Sequence, residues 1–348
     1  MLPVSPAPIV SIGAGGIVHD AHYPAYHKAG FPVAGLYDAN TARAQQMATQ
    51  WCVPAVYASL AEAVAGAPPD AIFDVAVPAS AILDILTALP AARSVLIQKP
   101  LGEDLAQAQE IVRVCRQARL LAGVNFQLRY APFILAARSL IQQGAIGEVL
   151  DVEVRLTVYT PWHLWQFMQG IPFPEILYHS IHYIDLVRSF LGEPQGVYAK
   201  SVRHPDSGLG PTRTTLILDY GDVVRATITT NHHHAYGLRH QESYVKWEGA
   251  RGAIKARMGL LLNYPVGEPD DFAYCVLREG RPPRWRRVTL AGSWFPDAFI
   301  GAMASVMLAQ EGTAPALPTS VEDALHTMAV VDAACRSSLA GGIPVPAL

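Results

Sequence analysis

The stretch Val10-Ser-Ile-Gly-Ala-Gly-Gly-Ile-Val-His19 (VSIGAGGIVH) decides the fold. It is an apolar run that turns at two glycines and leads into a helical pattern. In a dinucleotide-binding turn the first glycine, here Gly13, permits the tight bend. The second, Gly15, lets the backbone approach the pyrophosphate, and the start of the helix supplies amide donors. Val18 stands where a third small residue usually allows close helix–strand packing. We therefore expect the helix to lie slightly further out, with its phosphate donors intact.

Asp38 follows the second predicted strand, 25 positions after Gly13. A carboxylate at this point can hydrogen-bond both hydroxyls of an adenosine ribose. It also repels a 2′-phosphate, so the sequence favours NAD over NADP. Arg43, one turn into the next helix, keeps NADP as an alternative cofactor. The competing structural interpretation of Asp38 is a helix-start cap shared with Asn40.

The composition is typical of a soluble protein with two domains. The chain has 348 residues, of which 51% are hydrophobic, and a net charge of −3, so it offers no basic surface for nucleic acid. The four cysteines are far apart and form no CxxC pair, which indicates free thiols in a reducing compartment. No signal peptide and no long apolar run stand out, so we expect a cytoplasmic protein without a membrane span.

Short apolar runs alternate with helical patterns over the first 125 or so residues. This alternation predicts βαβ units and a parallel sheet. Ser59 and Asp104 each stand three positions before a Glu or Gln, the capping-box pattern of helix starts. The predicted strands are Ile9–Ile12, Val33–Tyr37, Ile72–Val77, Val95–Ile97 and Leu121–Val124.

Longer alternating patterns follow and predict an α+β domain with a large, open, mainly antiparallel sheet. The fold class is thus α/β, with a Rossmann domain at residues 1–125 and a substrate and oligomerisation domain at 126–348. The final helices are candidates to pack back onto the first domain. The predicted strand regions are Gly147–Tyr159, Gly196–Arg203, Thr214–Thr230 and Ser243–Met258, and the helices are Pro132–Gln143, Ser293–Gln310 and Ser320–Leu339.

Two short runs carry the candidate catalytic residues. VLIQKPL (95–101) ends a parallel strand, and ligands bind outside the carboxyl ends of such strands. Lys99 therefore stands where the nicotinamide half of a dinucleotide would lie. EILYHSIHYID (175–185) places Tyr178 and His182 four residues apart, on one face of a helix. The competing interpretation of Lys99 is an ordinary surface lysine, and that of His182 is a histidine of the hydrophobic core.

Further motifs stand in a fixed order along the chain. They are Gly13–Gly16, Ala21–Tyr26, Asp38, Lys99-Pro100, Gln127–Tyr130 with Pro132, His182–Asp185, Leu191–Pro194 and Glu248–Ala253. In order and spacing these residues resemble the Gfo/Idh/MocA family, the glucose–fructose oxidoreductase and inositol dehydrogenase-like proteins, from about Ile9 to about Val345. The resemblance implies a Rossmann domain followed by an open-faced α/β domain, and a homodimer or homotetramer formed through its sheet. It also implies hydride transfer between a nicotinamide cofactor and a sugar, polyol or related carbonyl.

The resemblance maps the family's catalytic lysine onto Lys99 and its histidine onto His182. Two positions depart from the family pattern: Gln98 replaces a glutamate, and Tyr178 stands where an aspartate is usual. Both changes remove carboxylates from the predicted site, and the loss at residue 98 removes a neighbour that would favour a charged ammonium.

Proton transfer at a hydroxyl needs a base near neutral pKa and a donor for the developing alkoxide. Imidazole, with an ordinary pKa of about 6.5, suits the base, so we assign that role to His182. Lys99 is the electrostatic stabiliser. Tyr178 either orients the substrate or His182 by a hydrogen bond, or is itself the base. Two other functions remain open: a redox-neutral enzyme that retains NAD (elimination, glycoside cleavage or epimerisation through a keto intermediate), and a non-catalytic nucleotide- or sugar-sensing regulator.

The remaining candidates surround these residues. Trp162 and Trp165 could face a sugar ring or form a buried aromatic cluster. Histidine pairs at 232/234 and 179/182 have ligand spacing, but no carboxylate or cysteine accompanies them, so we predict no metal and a polar loop instead. The predicted cofactor-binding residues are Gly13, Gly15, Gly16, Ile17, Asp38, Arg43, Pro78 and Lys99. The predicted substrate-binding residues are Lys99, Gln127, Trp162, His163, Trp165, Tyr178, His179, His182 and His234.

Overall fold

The structure, a computed structural model, describes residues 2–164, 166–314 and 316–346. The chain divides into two units. The first comprises Met1–Ala131 and Trp294–Met328, and the second comprises Pro132–Ser293 and Ala329–Leu348. The boundary expected after residue 125 thus falls a few residues early, and the chain between residues 294 and 328 returns to the first unit.

The first unit contains a five-stranded, wholly parallel sheet with the strand order β2-β1-β3-β4-β5. This confirms the predicted Rossmann sheet. The third strand ends two residues before the predicted Val77, because Pro78 has no N–H with which to continue the ladder. The strands are β1 Ile9–Ile12, β2 Val33–Tyr37, β3 Ile72–Val75, β4 Ser94–Ile97 and β5 Leu121–Val124.

Three helices of the first unit begin at side chains that accept their orphan amides. The side chains of Asn40, Ser59 and Asp104 accept backbone N–H groups three residues later, at the starts of the second, third and fifth helices. The helices are α1 Tyr23–Ala29, α2 Thr41–Trp51, α3 Leu60–Gly66, α4 Ile82–Ala88, α5 Leu105–Gln117, α6 Pro132–Gln142, α7 Ile181–Leu191, α8 Asp297–Gln310 and α9 Val321–Ala340.

The second unit contains an eight-stranded sheet of order β13-β12-β11-β10-β6-β9-β8-β7. All of its pairings are antiparallel except β6 with β9, which confirms the expected large, mainly antiparallel sheet. The strands are β6 Val149–Thr157, β7 Gly196–Val202, β8 Arg213–Asp219, β9 Arg225–Asn231, β10 Glu242–Gly249, β11 Gly252–Arg257, β12 Asp271–Val276 and β13 Trp285–Arg287.

One face of this sheet is covered and the other is open. On β8, Leu216 and Leu218 are buried, whereas Ile217 between them is exposed. The covered face holds the fully buried Trp247 of β10, whose ring contacts Phe190 of α7. This alternation is expected of an antiparallel sheet with one solvated face. Strands β12 and β13 are additions to the strands predicted from the sequence.

Among the residues that the structure describes, no helix combines the length and the apolar character needed to cross a bilayer.

Candidate functional site

The glycine turn follows β1 in the first unit. Gly13 has φ +109°, and a Cβ on it would lie 2.3 Å from the carbonyl oxygen of Ala76, so only glycine fits. Gly15 differs, because a Cβ there would have no described atom within 4 Å. The backbone at Gly15 is therefore open to a close approach, and this geometry suits a dinucleotide pyrophosphate.

The helix after this turn contains a π turn, Val18–His22, that leads into α1. Val18, the residue that departs from the small-residue pattern, is fully buried in this turn. The sequence predicts a regular helix that lies slightly further out. In the structure, the wider π turn instead places Val18 in the core. π turns are uncommon and are often found beside functional sites.

Asp38 joins the end of β2 to the glycine turn. Its Oδ2 accepts the N–H of Ala14 at 2.7 Å, and its Oδ1 accepts the N–H of Asn40 at 2.7 Å and Arg43 Nη2 at 2.8 Å. Burial on its own raises the pKa of Asp38, but the hydrogen bonds from Arg43, Asn40 and Ala14 outweigh it and hold that pKa below its usual range. The side-chain cap of α2 is Asn40, so Asp38 has a position distinct from the helix cap.

Lys99 lies just beyond β4, at the same carboxyl edge of the parallel sheet as the glycine turn. Its side chain is partly buried, and desolvation lowers the pKa of Lys99 to about 8. Pro78 follows β3 at this edge, and Gln127 follows β5. Gln127 is buried, and its Oε1 has no hydrogen-bond partner among the described residues, so this edge holds a polar atom that suits a bound ligand.

The second unit carries the predicted histidine motif. Its helix begins with a π turn, Ile176–Ser180, before α7, so the assumption of one regular α-helix is wrong for the first turn. The N–H of Ile181 bonds the carbonyl of Ile176, five residues earlier. Tyr178 and His182 therefore do not have the simple one-turn stacking that α-helical spacing implies. His182 is buried in the first turn of α7, while Tyr178 is partly exposed.

A buried pair that the sequence analysis missed lies beneath this turn. Glu175 is fully buried, and its Oε1 accepts the hydroxyl of Ser180 at 2.8 Å and lies 3.4 Å from His232 Nε2. The other ring nitrogen of His232 bonds the hydroxyl of Thr160 at 2.8 Å. Burial raises the pKa of Glu175, but His232 and the neighbouring hydroxyls bring it below its usual range. The only signal in the sequence is a single acidic residue at the start of an apolar helix.

The ring of His232, one member of this pair, packs together with the rings of His179 and Trp162. The His179 and His232 rings lie 4.6 Å apart, and the Trp162 ring lies 4.8 Å from His179 and 5.4 Å from His232. Of the two interpretations of the tryptophan run, this contact places Trp162 in an aromatic cluster, partly exposed at its edge. Trp165 lies outside the described residues.

The other histidines are dispersed. His163 is exposed, and His234 is partly buried against the ring of Tyr236 at 5.4 Å. His233 stacks on His204, and burial together with that neighbour lowers the pKa of His233 to about 4. Across the described ranges no group of three or more His, Cys, Asp or Glu side chains is arranged to hold a metal ion.

Comparisons with known proteins agree with this architecture. Residues 8–126 match the model of an oxidoreductase family with an NAD-binding Rossmann fold, and residues 134–254 match the Gfo/Idh/MocA C-terminal domain. The chain is similar to 1,5-anhydro-D-fructose reductase of Ensifer adhaerens, with 26% identity over 74% of this chain and 77% of that protein. Inositol 2-dehydrogenase of Rhizobium meliloti is 24% identical over 71% of this chain and 72% of its own length.

Two further matches cover less of the chain or show only a shared fold. An uncharacterised oxidoreductase of Escherichia coli, YhhX, is 25% identical, and the match spans about half of each protein, 56% of this chain and 53% of that one. An oxidoreductase of Agrobacterium radiobacter, solved with NAD+, L-tartaric acid and magnesium, superposes with a TM-score of 0.76 at 20% identity. That superposition covers 96% of this chain and 97% of the other, and it shows the shared fold.

Proposed function

The chain belongs to the Gfo/Idh/MocA family of NAD(P)-dependent oxidoreductases, and we propose that it oxidises a hydroxyl group of a sugar or polyol with NAD+ as the hydride acceptor. The observation that carries the proposal is the carboxyl edge of the parallel sheet. There an open glycine turn, a ribose-type carboxylate and a partly buried lysine of lowered pKa follow β1, β2 and β4, respectively. This is the place at which such sheets bind dinucleotides.

The cofactor-binding residues of the proposal all lie in the first unit. The backbone from Gly13 to Ile17 binds the pyrophosphate, and Asp38 binds the adenosine ribose. Arg43 bears on the choice of cofactor. Its guanidinium is already paired with Asp38 at 2.8 Å and would have to leave that carboxylate to bind a 2′-phosphate, so the arrangement favours NAD over NADP. Bound NAD+ supplies the hydride acceptor.

The proton-transfer roles follow from the chemistry of the side chains. His182 takes the hydroxyl proton, and the Lys99 ammonium stabilises the oxygen as negative charge develops on it. Tyr178 orients the hydroxyl, and the His179–Trp162 ring cluster offers an aromatic surface for the C–H face of a sugar. Gln127, His163 and His234 are the further polar groups that we assign to substrate hydroxyls.

We also propose that the protein forms a homodimer or homotetramer through the open face of the eight-stranded sheet. Tyr198 of β7 and Ile217 of β8 are direct cross-strand neighbours on that face, and both are exposed. Paired apolar side chains on an open sheet face are typical of an association surface.

The test of the catalytic proposal is turnover with a panel of inositols, aldoses and anhydro sugars, each with NAD+ and with NADP+, followed by NADH or NADPH absorbance. We expect steady NADH formation with at least one polyol or sugar, and a higher kcat/KM for NAD+ than for NADP+. Product without net NADH would instead identify a redox-neutral enzyme. NAD+ binding without turnover of any panel member would contradict the proposal and favour a sensing role.

A further inference from the structure

A continuous series of buried hydrogen bonds runs beneath the carboxyl edge of the parallel sheet. His22, in the π turn before α1, is fully buried, and its Nδ1 lies 2.8 Å from Oδ2 of Asp74, a buried residue of β3. The hydroxyl of Tyr26 donates to the same oxygen at 2.9 Å. Since a carboxylate only accepts, this contact places a proton on Nδ1 of His22.

The other ring nitrogen of His22 faces two amides. Gln98 Nε2 lies 3.3 Å from His22 Nε2, and Asn125 Nδ2 lies 3.2 Å from it. The orientation of the Gln98 amide is fixed from its far side, because Gln98 Oε1 accepts the backbone N–H of Lys99 at 2.8 Å. The Gln98 NH2 group therefore points at His22, and Nε2 of His22 must be the acceptor of a neutral ring.

We propose that Gln98 is a positioning residue, which fixes the backbone of Lys99 by bridging it to a neutral His22. The amide uses both of its ends: its oxygen holds the Lys99 N–H and its nitrogen holds the imidazole. A carboxylate at residue 98 could make the first bond, but it could make the second only if His22 carried a second proton. The Gln98 bridge thus keeps its geometry at alkaline pH without a proton on His22 Nε2.

The surroundings of His22 support a neutral ring. Of the described groups that hydrogen-bond the ring, Asp74 is the charged one, and those from the ends of β4 and β5 are the uncharged amides of Gln98 and Asn125. Phe299 of α8 packs on the ring at 5.1 Å. Burial, followed by the charge of Asp74, raises the pKa of Tyr26 well above its usual range, so this tyrosine remains a hydrogen-bond donor. Burial also raises the pKa of Tyr23, whose ring lies 6.4 Å from that of Tyr26.

The first test is an NMR measurement that needs neither substrate nor cofactor. Long-range ¹H–¹⁵N spectra of the whole protein report which ring nitrogens of His22 carry protons, and His22→Asn identifies its signals. We expect a single proton, on Nδ1. In Gln98→Glu we expect protons on both nitrogens at about pH 6. A wild-type ring protonated on Nε2, or a Gln98→Glu ring still neutral at that pH, would overturn the proposal.

The second test is kinetic, and it alone rests on the proposed function. With Gln98→Glu we expect kcat within about threefold of wild type near pH 6, and then a fall of at least about tenfold relative to wild type as the second proton leaves His22. Gln98→Met has similar volume but makes neither hydrogen bond, so its kcat should be at least about tenfold lower at every pH, with KM for NAD+ little changed.

The matched control is Gln50→Glu, which puts the same charge beside a histidine on the surface of the first unit, where Gln50 Nε2 lies 2.9 Å from His19 Nε2. It should leave kcat and its pH profile unchanged. Wild-type kinetics in Gln98→Met, or a pH-independent ratio of Gln98→Glu to wild type, would overturn the positioning role. If no substrate is turned over, the proposed function fails while the NMR result still decides the state of the bridge.

Discussion

Gly13 and Gly15 stand two positions apart in the nucleotide turn but differ in what surrounds them. A methyl group on Gly13 would collide with the Ala76 carbonyl, whereas one on Gly15 would meet no described atom within 4 Å. Gly15→Ala should therefore unfold at the wild-type temperature or slightly above it. It should bind NAD+ at least about tenfold more weakly, because the methyl group occupies the space of the pyrophosphate.

Calorimetric titration with NAD+ and thermal unfolding check this pair of expectations. Gly13→Ala serves as the contrast, since strain and a backbone clash at that position should lower the unfolding temperature as well as the affinity. Wild-type affinity in a fully folded Gly15→Ala protein would contradict the assignment of the turn.

The pKa of Lys99, lowered by burial to about 8, gives a prediction for pH dependence. The ammonium predominates below about pH 8 and is lost as the pH rises through that value. If the charged form stabilises the developing alkoxide, kcat/KM should fall with an apparent pKa near 8 on the alkaline side. Lys99→Arg stays charged to far higher pH, so it should remove this alkaline fall, although at a lower kcat.

A pH–rate profile of the wild type and Lys99→Arg decides the point. An alkaline fall that persists unchanged in the arginine variant would assign the titration to another group.

At the scale of elements, the π turn before α7 directly follows Glu175, which forms a buried pair with His232. Replacing one member of a buried pair leaves the other without its partner. Glu175→Gln keeps the shape but removes the charge, and it should lower the free energy of unfolding by about 2 kcal/mol at neutral pH. Urea unfolding measures this loss, and Glu279→Gln, on an exposed turn of the same unit, is the control.

The sign of the pH dependence follows from the lowered pKa of Glu175. A carboxyl group whose folded pKa lies below its ordinary value of 4.5 contributes stability above that pH, and the contribution is lost as the pH falls through the folded pKa. The difference between wild type and Glu175→Gln should therefore shrink in acid. A constant difference down to about pH 3 would show that the charge of Glu175 is not its source.

The sequence predicted most elements because their patterns are local. The alternating runs of the parallel sheet and the caps at Asn40, Ser59 and Asp104 depend on residues only a few positions apart. The two π turns were missed because hydrophobic periodicity does not distinguish hydrogen bonds of four residues from those of five. The pairing of Glu175 with His232 was missed because it joins distant parts of the chain, and β13 because its three residues carry no alternation.

The assignment of the candidate site stays a prediction from spacing and side-chain chemistry. Asp38 and the glycines were recognised from spacing, and the structure adds that Arg43 is bound to the same carboxylate. In the sequence, Gln98 stands out only because it replaces a carboxylate. Its bridge to His22 joins the end of β4 to the π turn before α1, a contact that no local pattern reveals.

For the whole molecule, the open sheet face predicts the state of assembly. Light scattering should give a mass two or four times that of the 37.6 kDa chain. Ile217→Asp puts a charge in the exposed apolar pair and should shift the mass toward the single chain, while Val266→Asp, on an exposed turn of the same unit, should not. A wild-type protein of single-chain mass would contradict assembly through this face.

The central proposal for the whole molecule is that Lys99 and His182 are both catalytic residues. A double-mutant cycle of Lys99→Met and His182→Asn, measured as kcat/KM with NAD+ and the polyol or sugar found to be turned over, tests it most directly. Each single variant should lose at least about a hundredfold, and the double variant should be hardly worse than either one. Losses that multiply in full, or near-wild-type turnover in either single variant, would contradict it.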